Sequence, residues 1–126
     1  MNYRFPARVY GALFILALLG TFFLTLKVPT KEVAGLMNDK VAHALTFFIL
    51  SFFYSHMMSG KYGWKSLVML SGLGLLIELI QYTLPWRSFS LLDWLADIAG
   101  VMGYHVLHLA KVHWLKRRAK RAQHSD

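Results

Sequence analysis

Cysteine is absent from this chain of 126 residues, and acidic residues number only six. Without cysteine, disulfide-stapled scaffolds and zinc sites built on thiolates are excluded. Charge of both signs is scarce, at 16% against roughly 25% in ordinary soluble domains. Intrinsic disorder is excluded too, since disordered chains are poor in aromatics and 15% of this one is Phe, Trp or Tyr. The length admits one domain and rules out a large multidomain enzyme. There is no internal repeat and no low-complexity segment.

What is present is apolar and unevenly charged. Hydrophobic residues make up 56%, and 14 Lys+Arg against 6 Asp+Glu give a formal net charge of +8. Val9 to Leu26 carries no charge, and Val41 to Met58 has only His43, His56 and Tyr54 as ionisable groups. Leu67 to Leu84 contains one acid, Glu78, and Leu91 to Ala110 contains Asp93 and Asp97 with His105 and His108. Each run approaches the roughly 20 residues that cross a hydrocarbon core of about 30 Å. A soluble helix would alternate an apolar stripe with a charged face, whereas these runs are apolar nearly all round. The sequence therefore predicts an all-α protein, a single-domain four-helix transmembrane bundle. The expected spans lie near 9–28, 41–58, 66–84 and 91–112, followed by a basic tail at 113–126.

The cations sort by side. Arg4, Arg8, Lys61, Lys65 and the six that follow the fourth run share one side; Lys27, Lys31, Lys40 and Arg87 share the other. By the positive-inside rule both termini are cytoplasmic in a plasma (inner) membrane. Trp64 and Trp114 then fall at the inner interface, Trp86 and Trp94 at the outer one. Pro29 and Pro85 close the first and third runs. Asn38 or Asp39 can cap the second helix, and Ser90-Leu91-Leu92-Asp93 fits a capping box opening the fourth. The loop 29–38 is a short outer connection. No A-x-A-like cleavage site follows the first run, so it reads as a retained span rather than a signal peptide.

Ionisable groups inside a span cost about 2.5–3.5 kcal/mol each on insertion scales and turn toward a bundle interior or cavity. Here their depths agree. Asp39, Lys40 and His43 open the second helix at its outer end, Glu78 and Gln81 lie in the last turns of the third, Arg87 is in the outer loop, and Asp93 and Asp97 occupy the first turns of the fourth. Helical spacing puts Lys40 with His43, Glu78 with Gln81, and Asp93 with Asp97 on shared faces. Gly100 and Gly103 continue the last line and permit close helix packing. One polar pocket open to the extracytoplasmic face follows.

The blocks Asp39-Lys40-x-x-His43, Glu78-x-x-Gln81 and Pro85-x-Arg87-x-x-Ser90-x-x-Asp93-x-x-x-Asp97-x-x-Gly100-x-x-Gly103, in that order across about half the chain, resemble the VanZ-like family of small membrane proteins. At position 97 the pattern admits Asn as readily as Asp. The family takes its name from a glycopeptide (teicoplanin) resistance protein, so the resemblance implies a link to glycopeptide susceptibility. It also implies kinship with enzymes acting on lipid head groups.

The residues admit sharp and plain readings. His43 is a general base or nucleophile, its unperturbed pKa near 6.5 suiting proton transfer, or a structural histidine bonded across the bundle. Glu78 either orients His43 or anchors two helices. Asp93 is a site residue, a helix cap, or both. Arg87 is a phosphate fork, with Lys40 nearby, or a loop anchor. In the site so drawn, His43, Glu78 and Asp93 are catalytic; Lys40, Arg87 and Gln81 bind substrate; Asp39, Ser90, Asp97 and Gly100 support them. No cofactor is expected: a divalent ion on His43, Glu78, Asp93 and Asp97 is chemically open, but no recognised ligand spacing is present. His105, His108 and His113 receive no role, and Met57, Met58, Met69 and Met102 are read as packing residues.

The basic run Lys116 to Arg121 reads as a topology signal that attracts anionic lipid, not as a nucleic-acid site. The expected function is the binding, and transfer or hydrolysis, of a phosphorylated or lipid-linked head group by an envelope protein, alone or as a homo-oligomer. The alternative is a non-enzymatic interaction protein whose polar cluster is structural. A proton or solute pathway would need acids through the full depth, and the inner half has none.

Overall fold

Long stretches free of internal Pro, rich in Leu, Ala, Phe and Met, propagate as helix. In the computed structural model, which describes residues 5–26, 39–58, 61, 63–85 and 91–125, they form four helices and, among the described residues, no strand. These are α1 (Ala7–Leu26), α2 (Asp39–Met57), α3 (Trp64–Tyr82) and α4 (Leu91–His124). The loop 29–38 with Pro29 and Asn38, and residues Trp86, Arg87 and Ser90, lie outside the described residues, as does the side chain of Asp39.

Seven of the eight expected helix boundaries fall within two residues of the observed ones. α3 stops at Tyr82 rather than 84 because Thr83 takes the Ile80 carbonyl with both its N–H (3.1 Å) and its hydroxyl (2.6 Å). Pro85 then keeps Leu84 from continuing the helix. The end of the fourth helix is different. The basic segment after 112 is helical and continues α4, which runs unbroken for 34 residues to His124. Lys, Arg, Ala and Gln are strong helix formers, and cations near a helix C-terminus complement its dipole.

The helices associate unequally. α2 and α4 share the most extensive interface, α1 packs on α2, and α3 packs on α4. Tyr10 meets Phe52 and His56, and Phe14 meets Tyr54, so α1 and α2 are antiparallel. Ala44 faces Gly100 while Phe48 and Phe52 face Tyr104, so α2 and α4 run parallel. Gly74 of α3 faces Asp97, with Glu78 close to Asp93, an antiparallel match. The start of α2, the end of α3 and the start of α4 consequently meet at one end of the bundle.

At Gly100 the two parallel backbones are in contact. A Cβ there would collide with the carbonyl of Ala44, so only glycine permits this approach. Gly103, expected to act likewise, does not: its nearest atom would be Phe48 Cδ2 at 3.8 Å, ordinary contact. Gly74 makes room for Asp97, whose carboxylate would lie 3.0 Å from an added Cβ.

The distribution of polarity is the reverse of a soluble bundle's. Phe47, Leu50, Leu70, Ile77, Val101 and Tyr104 are buried, but so are Ser51, Ser55, Ser66, Glu78, Gln81, Asp93 and Asp97. Facing outward are Ile15, Leu16, Leu19, Phe23, Leu45, Ile49, Val68, Leu76, Leu79, Leu95 and Val106, together with Met58, Met69 and Met102, which therefore contribute to the outer surface rather than the core. By length and composition α3 alone among the described helices qualifies to cross a membrane, and Ala7–Phe23 is a shorter apolar helical stretch.

Trp94 is tied to a neighbouring helix: its indole N–H donates to the Ser71 carbonyl at 2.9 Å. Trp94→Phe keeps most of the ring and removes this bond. The expected cost is about 0.5–1.5 kcal/mol, read as a lowered thermal midpoint, and an unchanged midpoint would show that the bond contributes nothing.

Candidate functional site

The cluster forms where three helices present polar side chains to one another. His43 comes from the second turn of α2, Glu78 and Gln81 from the last turns of α3, and Asp93 and Asp97 from the first two turns of α4. Glu78 and Asp97 are fully buried, Gln81 is 2% exposed and Asp93 9%. Burying acids in a chain that has only six of them is costly unless the surroundings compensate, so their convergence marks the place where this bundle departs from simple apolar packing.

The best defined contact is between α2 and α4. His43 Nδ1 lies 2.8 Å from Asp97 Oδ1. An ionised carboxylate only accepts, so Nδ1–H donates, which turns Nε2 to the opposite edge of the cluster. That nitrogen faces Asp93, with Oδ2 at 3.7 Å, beyond hydrogen-bond length. Lys40, on the same face of α2 one turn earlier, brings its ammonium 3.9 Å from the other oxygen of Asp93. Lys40 is half exposed, whereas His43 and Asp93 are largely shielded. One donor atom each from His43, Glu78 and Asp93 falls within 4.8 Å of the other two.

The structure thus brings together His43, Glu78, Asp93, Asp97 and Lys40, with Gln81 buried one turn from Glu78. Arg87 and Ser90 lie outside the described residues, so the capping box and the phosphate fork stay sequence expectations. Asp39 opens α2 through its backbone. Asp97 gains most. Expected from sequence as a supporting residue, it is a carboxylate in hydrogen-bond contact with the imidazole. The i,i+4 spacing of Asp93 and Asp97 placed both on the right face; which of them meets Nδ1 depends on how α2 crosses α4, and that is set by Gly100 against Ala44.

Chemically, an imidazole oriented by one carboxylate and flanked by two more can take part in proton transfer or in cation binding. Lys40 at the rim can meet an anion. Compared with protein-family models, with curated proteins and with solved structures, the chain matches none.

Proposed function

We propose that this is a multi-pass membrane protein whose polar cluster opens on the extracytoplasmic side and binds the phosphorylated head group of a lipid or lipid-linked molecule. The observation that carries the reading is the inverted polarity: Glu78, Asp97 and their neighbours are buried at one end of a bundle whose outer surface is Leu, Ile, Val, Phe and Met. An apolar surface of that extent calls for an apolar solvent. The mean hydropathy of α2 and α4 is diluted by inward-facing His, Ser and Asp residues, which a bilayer does not meet. Along α4, Asp93 and Lys116 are separated by about 35 Å of helix, close to the thickness a bilayer requires. The basic end belongs on the cytoplasmic side.

In this reading Lys40 and Arg87 hold the phosphate, Gln81 hydrogen-bonds the head group, and His43, Glu78 and Asp93 supply the groups that a transfer or hydrolysis would need, with Asp97 fixing the imidazole. Kinship with the VanZ-like family, and with it a bearing on glycopeptide susceptibility, belongs to the same proposal. It rests on the ordered blocks between Asp39 and Gly103.

Native mass spectrometry of the protein extracted with its lipids tests the reading. The wild type is expected to retain a phosphorylated lipid that the His43→Ala/Arg87→Ala variant loses. Equal retention of the same lipids by both would leave the cluster a structural feature of a non-enzymatic interaction protein.

A further inference from the structure

The cluster as it stands is poorly matched to a phosphate. Three carboxylates, Glu78, Asp93 and Asp97, lie with at most 9% exposure around one imidazole, and an anion brought against them is repelled in a low-dielectric setting. Lys40 is half exposed and stands 3.9 Å from Asp93, so it offsets one charge at the rim and not the interior.

We propose that His43, Glu78 and Asp93 bind a divalent cation, of the Zn²⁺ or Mn²⁺ kind, and that the head-group phosphate bridges from this ion to Lys40 and Arg87 at the rim. The first part stands on geometry alone; the second rests on the head-group reading given above. Three independent features converge. One donor from each residue lies within 4.8 Å of the others, and each comes from a different helix. Tetrahedral bonds near 2.1 Å would put ligand atoms about 3.4 Å apart, so a pair at the 4.8 Å limit would have to close by about 1.4 Å.

The His43 Nε2 to Asp93 Oδ2 separation, 3.7 Å, is too long for a hydrogen bond. Two ligands on a common ion with bonds near 2.1 Å would subtend about 120° at that spacing. Finally, Asp97 accepts from Nδ1 at 2.8 Å, the carboxylate–histidine arrangement that turns a ligating nitrogen toward its metal and makes it more basic. The imidazole favours Zn²⁺ or Mn²⁺ over Mg²⁺, which prefers an all-oxygen shell. No spacing motif announces the site, because its ligands are contributed by three separate helices.

The test uses the full chain, purified in detergent and stripped with EDTA, titrated calorimetrically with ZnCl₂, MnCl₂ and MgCl₂. One equivalent of Zn²⁺ or Mn²⁺ is expected to bind, with Mg²⁺ at least tenfold weaker. Glu78→Gln and Asp93→Asn should each weaken binding tenfold or more, and Asp97→Asn by about 10- to 100-fold. A His113→Ala/His124→Ala variant should bind as the wild type does. Independently of any variant, pulsed electron paramagnetic resonance of the Mn²⁺-loaded wild type should show nitrogen coupling from one imidazole. Its absence, or stoichiometric binding that survives Glu78→Gln and Asp93→Asn, overturns the site. Lipid retention measured with and without EDTA separates the two parts. Metal bound with no phosphorylated lipid would sink the head-group reading and keep the ion; lipid held equally in EDTA would sink the bridge.

Discussion

Replacing Gly100 with alanine is expected to cost more stability than any other single added methyl group in this protein. The new Cβ would fall on the backbone carbonyl of Ala44, and a carbonyl inside a helix cannot rotate away as a side chain can. The helices α2 and α4 would have to separate by about an ångström along their most extensive interface. Overpacking of this kind costs about 1–3 kcal/mol or more, against which the better helix propensity of alanine returns only about 1 kcal/mol. Gly100→Val should be worse still, to the point of losing the fold. Gly103→Ala is the control: with only Phe48 near at 3.8 Å, it should be neutral or stabilise by up to about 1 kcal/mol. Unfolding midpoints in detergent for the two alanine variants decide it, and equal midpoints would refute backbone contact at Gly100.

The second large effect is expected at Asp97. Asp97→Leu leaves the His43 Nδ1–H without its acceptor and presses a branched side chain toward Gly74 and Phe47. Leaving a shielded donor unsatisfied typically costs about 1–3 kcal/mol, overpacking adds about 1–3 more, and the sum should appear as a collapse of the unfolding midpoint. Asp97→Asn keeps an oxygen for the same N–H and should stay within about 1 kcal/mol of the parent. If leucine were tolerated as well as asparagine, the His43–Asp97 bond would have no part in holding α2 to α4. The asparagine variant also separates two duties of one side chain, since it preserves the bond while removing the charge that makes Nε2 a better ligand.

Much of this arrangement is legible in the residues. An apolar run with one acid near its end says where that acid must turn, and Glu78, Asp93 and Asp97 are all buried as their positions in the runs imply. Helical spacing alone sorts Glu78 with Gln81 and Asp93 with Asp97 onto common faces. Helix crossing is another matter. It decides that Asp97 meets His43 Nδ1 while Asp93 stands off at 3.7 Å, and it depends on one backbone contact that no pattern of side chains encodes. Gly100 and Gly103 look equivalent in the sequence; only the first lies where two helix backbones touch. The fate of the basic segment was equally hidden, because charge marks it as exposed and says nothing about where the helix ends. Trp94 shows a third kind of limit: its place at the edge of an apolar run says nothing of the Ser71 carbonyl that its N–H reaches.

The unbroken length of α4 gives the molecule a lever. Its fulcrum is the glycine at position 100, where the rod touches α2. The short arm back to Asp93 measures about 10 Å, and the long arm out to Arg121 about 32 Å. A tilt that carries Asp93 by one ångström therefore sweeps the cationic tip by about three, in the opposite sense.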